Sequence, residues 1–144
     1  MTKLAFMFPG QGSFELGMGR EIAEAEPEAM AVYEAGSRAS GLDLRQLCFH
    51  GTAEELTKTE LQQPALVATS LAINAALLAR GIEPDYVVGH SVGEFSALGL
   101  EEATLDLIAS LSGCKRCHAV RCPVNYAADR LSFVDELFEK RIDG

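Results

Sequence analysis

Pro84-Asp85-Tyr86-Val87-Val88-Gly89-His90-Ser91-Val92-Gly93-Glu94-Phe95 is the stretch on which the reading of this chain turns. Tyr86-Val87-Val88 is a short apolar, β-branched run entered through the turn pair Pro84-Asp85, which predicts a buried strand. From Ser91 the pattern returns to helix. Between them stands the pentad G-x-S-x-G, Gly89 to Gly93. A serine held at a strand-to-helix bend needs small neighbours, so that the chain can fold back tightly and a carbonyl can approach its hydroxyl. The free N–H groups at the start of the following helix, and the positive end of its dipole, lie where a tetrahedral oxyanion would form. Ser91 is therefore the candidate nucleophile.

Working outward, Pro64 to Arg80 is apolar almost all round, which predicts a buried helix closed by Gly81. Leu4 to Phe8 is another short apolar run that ends at Pro9-Gly10 and predicts a second buried strand. The loop Pro9-Gly10-Gln11-Gly12-Ser13 follows. It lacks the Lys-Ser or Lys-Thr of a phosphate-binding Walker loop and fails G-x-G-x-x-G, since Glu15 stands where the third glycine belongs. It reads either as a plain tight turn or as a wall of the same crevice, with the Gln11 backbone N–H facing Ser91 as an oxyanion donor. Helices are expected over Met18 to Ala25 and Pro27 to Ala39, with Gly41 just past the second. Thr52-Ala53-Glu54-Glu55 is a capping box opening a short helix. Strand, helix, strand, helix implies an α/β fold with parallel strands.

The character changes after Leu100, so the chain divides into residues 1–100 and a divergent tail, 101–144. In the tail Glu101 to Leu111 and Ser132 to Lys140 read as helical, and Ser112 to Arg130 shows no period. The net charge of −9 argues against general nucleic-acid binding. The longest apolar region, Ala65 to Ala79, is broken by Thr69, Ser70 and Asn74 and falls short of a membrane span. With no secretory leader in the first residues, a cytoplasmic location is expected, and Cys48, Cys114, Cys117 and Cys122 are expected to be reduced thiols. Cys114-Lys115-Arg116-Cys117-His118 matches a haem-attachment spacing and, with Cys122, could offer zinc four ligands. Neither is adopted, for want of an export signal and because the wrap is so tight; no metal is expected.

Three motifs in order, Phe8-Pro9-Gly10-Gln11-Gly12-Ser13, then Gln63-Pro64-Ala65, then Gly89 to Leu98 (GHSVGEFSAL), resemble the malonyl-CoA:acyl carrier protein transacylase family, including the acyltransferase domains of fatty acid and polyketide synthases. The resemblance covers about residues 1–100. It implies a partial acyltransferase large subdomain with short parallel strands and flanking helices, the ferredoxin-like subdomain being absent. It also implies ping-pong transfer of a malonyl group through a serine ester, from malonyl-CoA to acyl carrier protein in fatty acid synthesis, without a further cofactor. Ser91 is then the nucleophile, the Gln11 and Val92 backbone N–H groups form the oxyanion hole, and Gln63 lines the substrate site. Arg116 stands at about the family's distance for the arginine that pairs with the malonyl carboxylate, in an altered context. An ordinary α/β-hydrolase esterase or thioesterase shares the pentad but not the loop ahead of it.

The family's base is a histidine far beyond the serine. His50, His90 and His118 are the histidines here, and none sits in that motif. His90 neighbours the nucleophile, but adjacent side chains on such a bend point apart. The chain thus reads as a family member cut short or altered after about Leu100, its activity in doubt, with sheet edges and apolar helix faces uncovered. A non-catalytic acyltransferase fragment fits the same features.

Overall fold

The computed structural model describes residues 2–98, all within the first of the chain's two units, Met1–Gly113 and Cys114–Gly144. The expected tail helices, Arg116, His118 and the three tail cysteines lie outside the described residues. Eight elements follow in order: β1 (Ala5–Phe8), α1 (Arg20–Ala25), α2 (Pro27–Ser40), α3 (Leu44–His50), α4 (Ala53–Leu56), α5 (Thr59–Ala79), β2 (Tyr86–Gly89) and α6 (Gly93–Leu98). β1 and β2 pair in parallel, with Ala5 opposite Tyr86 and Phe8 opposite Gly89. The α/β reading, with parallel strands flanked by helices, is what the chain adopts.

The local signals act where their chemistry predicts. Pro27 opens α2 in its first turn, and Gly41 ends it at φ 72°. Thr52 and Glu55 cap one another's backbone at the start of α4. Gly81 follows α5 at φ 73°. Asp85 clamps the entry to both strands: its carboxylate takes the Lys3 ammonium at 2.8 Å and the Leu4 N–H at 2.9 Å. That bond to Lys3 holds the Asp85 carboxyl below the usual carboxylate range.

Three expectations need correction. First, the strands are one-sided rather than buried. Met7 is 79% exposed and Val88 40%, whereas Phe8 is buried. Ala5, Met7, Tyr86 and Val88 share one pleated face through the parallel register, and among the described residues that face is open. Uncovered apolar surface is expected in general terms, but Ile73 and Leu78 of α5, read from the sequence as buried, are exposed as well. Second, α5 starts at Thr59, so Pro64 lies inside it. The lost N–H would have bonded the Glu60 carbonyl, still in the first turn, and Pro64 is fully buried, so packing offsets the gap. So extended, α5 has the length and mean hydropathy (1.3) of a membrane span, contrary to the sequence reading. Yet 67% of its most apolar window is buried within the fold, which makes it the core helix. Third, α3 went unread. Asp43 caps it by accepting the Gln46 N–H at 2.9 Å.

The core lies where α2 and α3 pack on α5. Leu44, Leu56 and Val67 are fully buried, each contributing about 2 kcal/mol of apolar transfer. Phe49 meets Tyr33 edge-on at 4.9 Å. A polar chain threads this apolar packing: the Tyr33 hydroxyl donates to Thr69 Oγ1 at 2.8 Å, and Thr69 Oγ1 to Cys48 Sγ at 3.7 Å. Burial pushes the Cys48 thiol up to about 12 and raises Tyr33 as well.

Candidate active site

The carboxyl end of β2 carries the pentad, and its backbone is the unusual feature of the molecule. Ser91 is the one non-glycine residue with positive φ among the described residues, at 55°. Left-handed backbone costs an L-residue about 1–2 kcal/mol, so the surroundings must enforce it. They do so through glycines. A Cβ on Gly89 would strike the backbone of Gly93 and Glu94, and a Cβ on Gly93 would strike the carbonyl oxygens of Phe8 and Pro9. The first glycine lets the bend close on itself; the second lets it press against the end of β1.

The helix begins at Gly93, two residues later than the periodicity suggested, because Ser91 and Val92 are spent on the turn. Two bonds close that turn, from the Gly93 N–H to the His90 carbonyl at 2.9 Å and from the Glu94 N–H to the Ser91 carbonyl at 3.0 Å. Ser91 is exposed and Val92 is buried.

The glycine loop after β1 lies against this bend. The His90 N–H donates to the Phe8 carbonyl at 3.1 Å, continuing the sheet by one bond. A Cβ on Gly10 would fall 2.5 Å from His90 Nδ1 and 2.9 Å from its carbonyl oxygen, so only glycine fits there. On its far side the loop is tied to the first two turns of α5. The Gln11 carboxamide donates to Thr59 Oγ1 at 2.9 Å and accepts from Gln63 Nε2 at 3.0 Å. The Gly12 N–H donates to Gln62 Oε1 at 2.9 Å.

Ser91, Val92 and the loop bearing Gln11 are thus joined through contacts of their immediate neighbours. Gln63 stands beside the loop on its α5 side. Among the described residues no acceptor takes the N–H of Gln11 or of Val92, and no imidazole hydrogen-bonds Ser91. His90 spends its backbone on β1 and packs its ring on Gly10, while His50 lies edge-on to Phe49 in α3. Among the described residues no three of His, Cys, Asp and Glu gather closely enough to hold a metal ion. Sequence reasoning missed Gln62. The signal for it was faint: a glutamine inside an apolar helix, one place before the glutamine that a motif singled out.

Comparison with known proteins bears on this arrangement. The malonyl CoA-acyl carrier protein transacylase of Bacillus subtilis is 47% identical over 98 residues, covering 68% of this chain and 31% of that protein. The crystal structure of malonyl CoA-acyl carrier protein transacylase from Clostridium perfringens superposes with a TM-score of 0.73 at 36% identity, over 77% of this chain and 36% of that one. A type II polyketide synthase acyl-carrier protein in complex with its malonyl-transacylase gives 0.72 at 38% identity, over 77% and 37%. The chain therefore spans about a third of the length of the relatives it matches. The model of the acyl transferase domain matches residues 5–122, strands, loop and serine bend together, and the chain belongs to that family.

Proposed function

We propose that this chain is the nucleophile-bearing part of a malonyl-CoA:acyl carrier protein transacylase. Ser91 Oγ attacks the thioester carbonyl of malonyl-CoA, the carbon–sulfur bond breaks, and coenzyme A leaves as its thiol, carrying the serine's proton. The malonyl ester on Ser91 is then attacked by the phosphopantetheine thiol of acyl carrier protein, and the serine regains a proton as the ester bond breaks. The N–H groups of Gln11 and Val92 receive the oxyanion in both halves. Gln63 borders the bound acyl group, and Arg116 pairs with the malonyl carboxylate. The coenzyme A thioester enters as substrate, no further cofactor takes part, and the setting is the cytoplasm.

The observation that carries this reading is the left-handed Ser91, exposed just past β2 beside a loop whose Gln11 N–H has no acceptor among the described residues. The names of the relatives supply malonyl transfer and acyl carrier protein. Among the described residues no imidazole hydrogen-bonds Ser91, and in a serine enzyme the oxyanion donors and binding alone retain about 10³–10⁴ in rate over water. Incubating the chain with malonyl-CoA and weighing the intact protein tests the proposal. A malonyl adduct that vanishes in Ser91→Ala supports it. Ester hydrolysis without an adduct points to a hydrolase, and a wild-type chain that never acquires the group refutes acyl transfer by this chain.

A further inference from the structure

We infer that Gln62 is a positioning residue for the oxyanion donor, setting the backbone of the glycine loop from inside α5; this rests on the function proposed above. Its side chain is 3% exposed, and a carboxamide so buried must satisfy both its donor and its acceptor. It does so by bridging two separate backbones. Its Oε1 accepts the Gly12 N–H at 2.9 Å, and its Nε2 donates to the carbonyl of Leu56, the last residue of α4.

The consequence follows from which peptide is held. The Gly12 N–H belongs to the Gln11–Gly12 peptide unit, and Gly12 sits at φ 97°, where only glycine rests without strain. A glycine so placed can rotate its preceding peptide at little cost, which would swing the Gln11 carbonyl and loosen the loop about the Gln11 Cα, through which the Gly10–Gln11 peptide carrying the donor N–H is joined to it. The bond to Gln62 removes that freedom. The Gln11 side chain is meanwhile occupied at both ends by Thr59 and Gln63, so its backbone N–H is the group left to face a substrate. Gly10, pressed on His90, fixes the loop from the other side. Gln62 touches neither Ser91 nor substrate; it acts through Gly12.

The full chain is compared with Gln62→Leu and Gln62→Glu by two measurements. The first is hydrogen exchange at the Gly12 amide, which needs no activity. Gly12 is exposed, so its protection reports this bond, and Gln62→Leu is expected to raise its exchange about five- to tenfold. The second is single-turnover acylation of Ser91 by malonyl-CoA. Losing one aligned oxyanion donor costs about 10²–10³ in rate at saturation, with half-saturation unchanged. In Gln62→Glu, burial keeps the carboxyl protonated near neutral pH. Its O–H replaces the donor to Leu56 and its carbonyl the acceptor for Gly12, so both readouts return toward wild type while the carboxyl stays protonated. Unchanged Gly12 exchange in Gln62→Leu overturns the inference even if Ser91 is acylated normally. Equal saturating rates overturn it as well. If the wild type forms no adduct the proposed function falls, and the exchange data alone decide whether Gln62 holds the loop. Should the leucine variant not fold, Gln62→Met, which fills the same space without a strong acceptor for Gly12, takes its place, with faster Gly12 exchange expected and unchanged exchange overturning the inference.

Discussion

Replacing Ser91 with glycine should stabilise the chain relative to replacing it with alanine. Both variants lose the hydroxyl, so the comparison isolates the backbone. Alanine must still sit at the φ of 55° that the bend imposes, at about 1–2 kcal/mol. Glycine avoids that penalty but returns part of the gain through its freer unfolded chain, about 0.4–1 kcal/mol. The net advantage of glycine is about 1 kcal/mol. At an m-value of about 2 kcal/mol/M this moves the urea midpoint by about 0.5 M. Ala31, exposed within α2, provides the control, since Ala31→Gly should cost about 1 kcal/mol in an ordinary helical backbone. The sign must reverse between the two sites. Equal midpoints for Ser91→Gly and Ser91→Ala, or a less stable glycine variant, would refute the claim that the surroundings force Ser91 into strain.

Gly93→Ala places a methyl group against the carbonyls of Phe8 and Pro9, neither of which can yield without moving β1; a loss of about 1–3 kcal/mol should appear in urea unfolding, with Ser91 acylation slowed alongside. Cys48, buried and raised to about 12, should stay unlabelled by iodoacetamide at pH 8 in the folded chain and react on unfolding, as read by peptide mass mapping. The folded state holds that proton more tightly than the unfolded state, so its stabilising effect is complete below about pH 9 and is lost as pH rises towards 12, at about 1.4 kcal/mol per unit; stability measured against pH should therefore fall across that window, and Cys48→Ala should flatten the fall. Asn74 buries its Oδ1 with no partner among the described residues, so Asn74→Leu should raise stability by about 1 kcal/mol in the same urea assay.

The fold was legible wherever one local interaction decides a boundary. Pro27, Gly41, Gly81 and the Thr52–Glu55 box act within a turn of their own position, and each sits where its chemistry puts it. Legibility failed where the deciding partner is distant. Pro64 suggested a helix start because proline favours the first turn, yet the packing of α5 carries the helix five residues upstream of it. The strands read as buried because Leu4–Phe8 and Tyr86–Val88 are nearly all apolar. An apolar run states that a face can be buried, and only the neighbouring layers decide whether it is.

The site divides along the same line. The pentad announces that Gly89 and Gly93 must be small, but not against what. Gly89 answers to its own turn. Gly93 answers to Phe8 and Pro9, more than eighty positions away in the sequence, and Gly10 answers to His90 from the opposite direction. These two reciprocal contacts pack the serine bend against the Gln11 loop, so that the candidate nucleophile just past β2 and the candidate amide just past β1 lie on neighbouring segments. Gln62 then holds the loop from the helix side. No periodicity marks it, because a buried carboxamide occupies an apolar helix face as well as a leucine does. What distinguishes it is the pair of peptide groups it serves, and those come together only when the chain is folded.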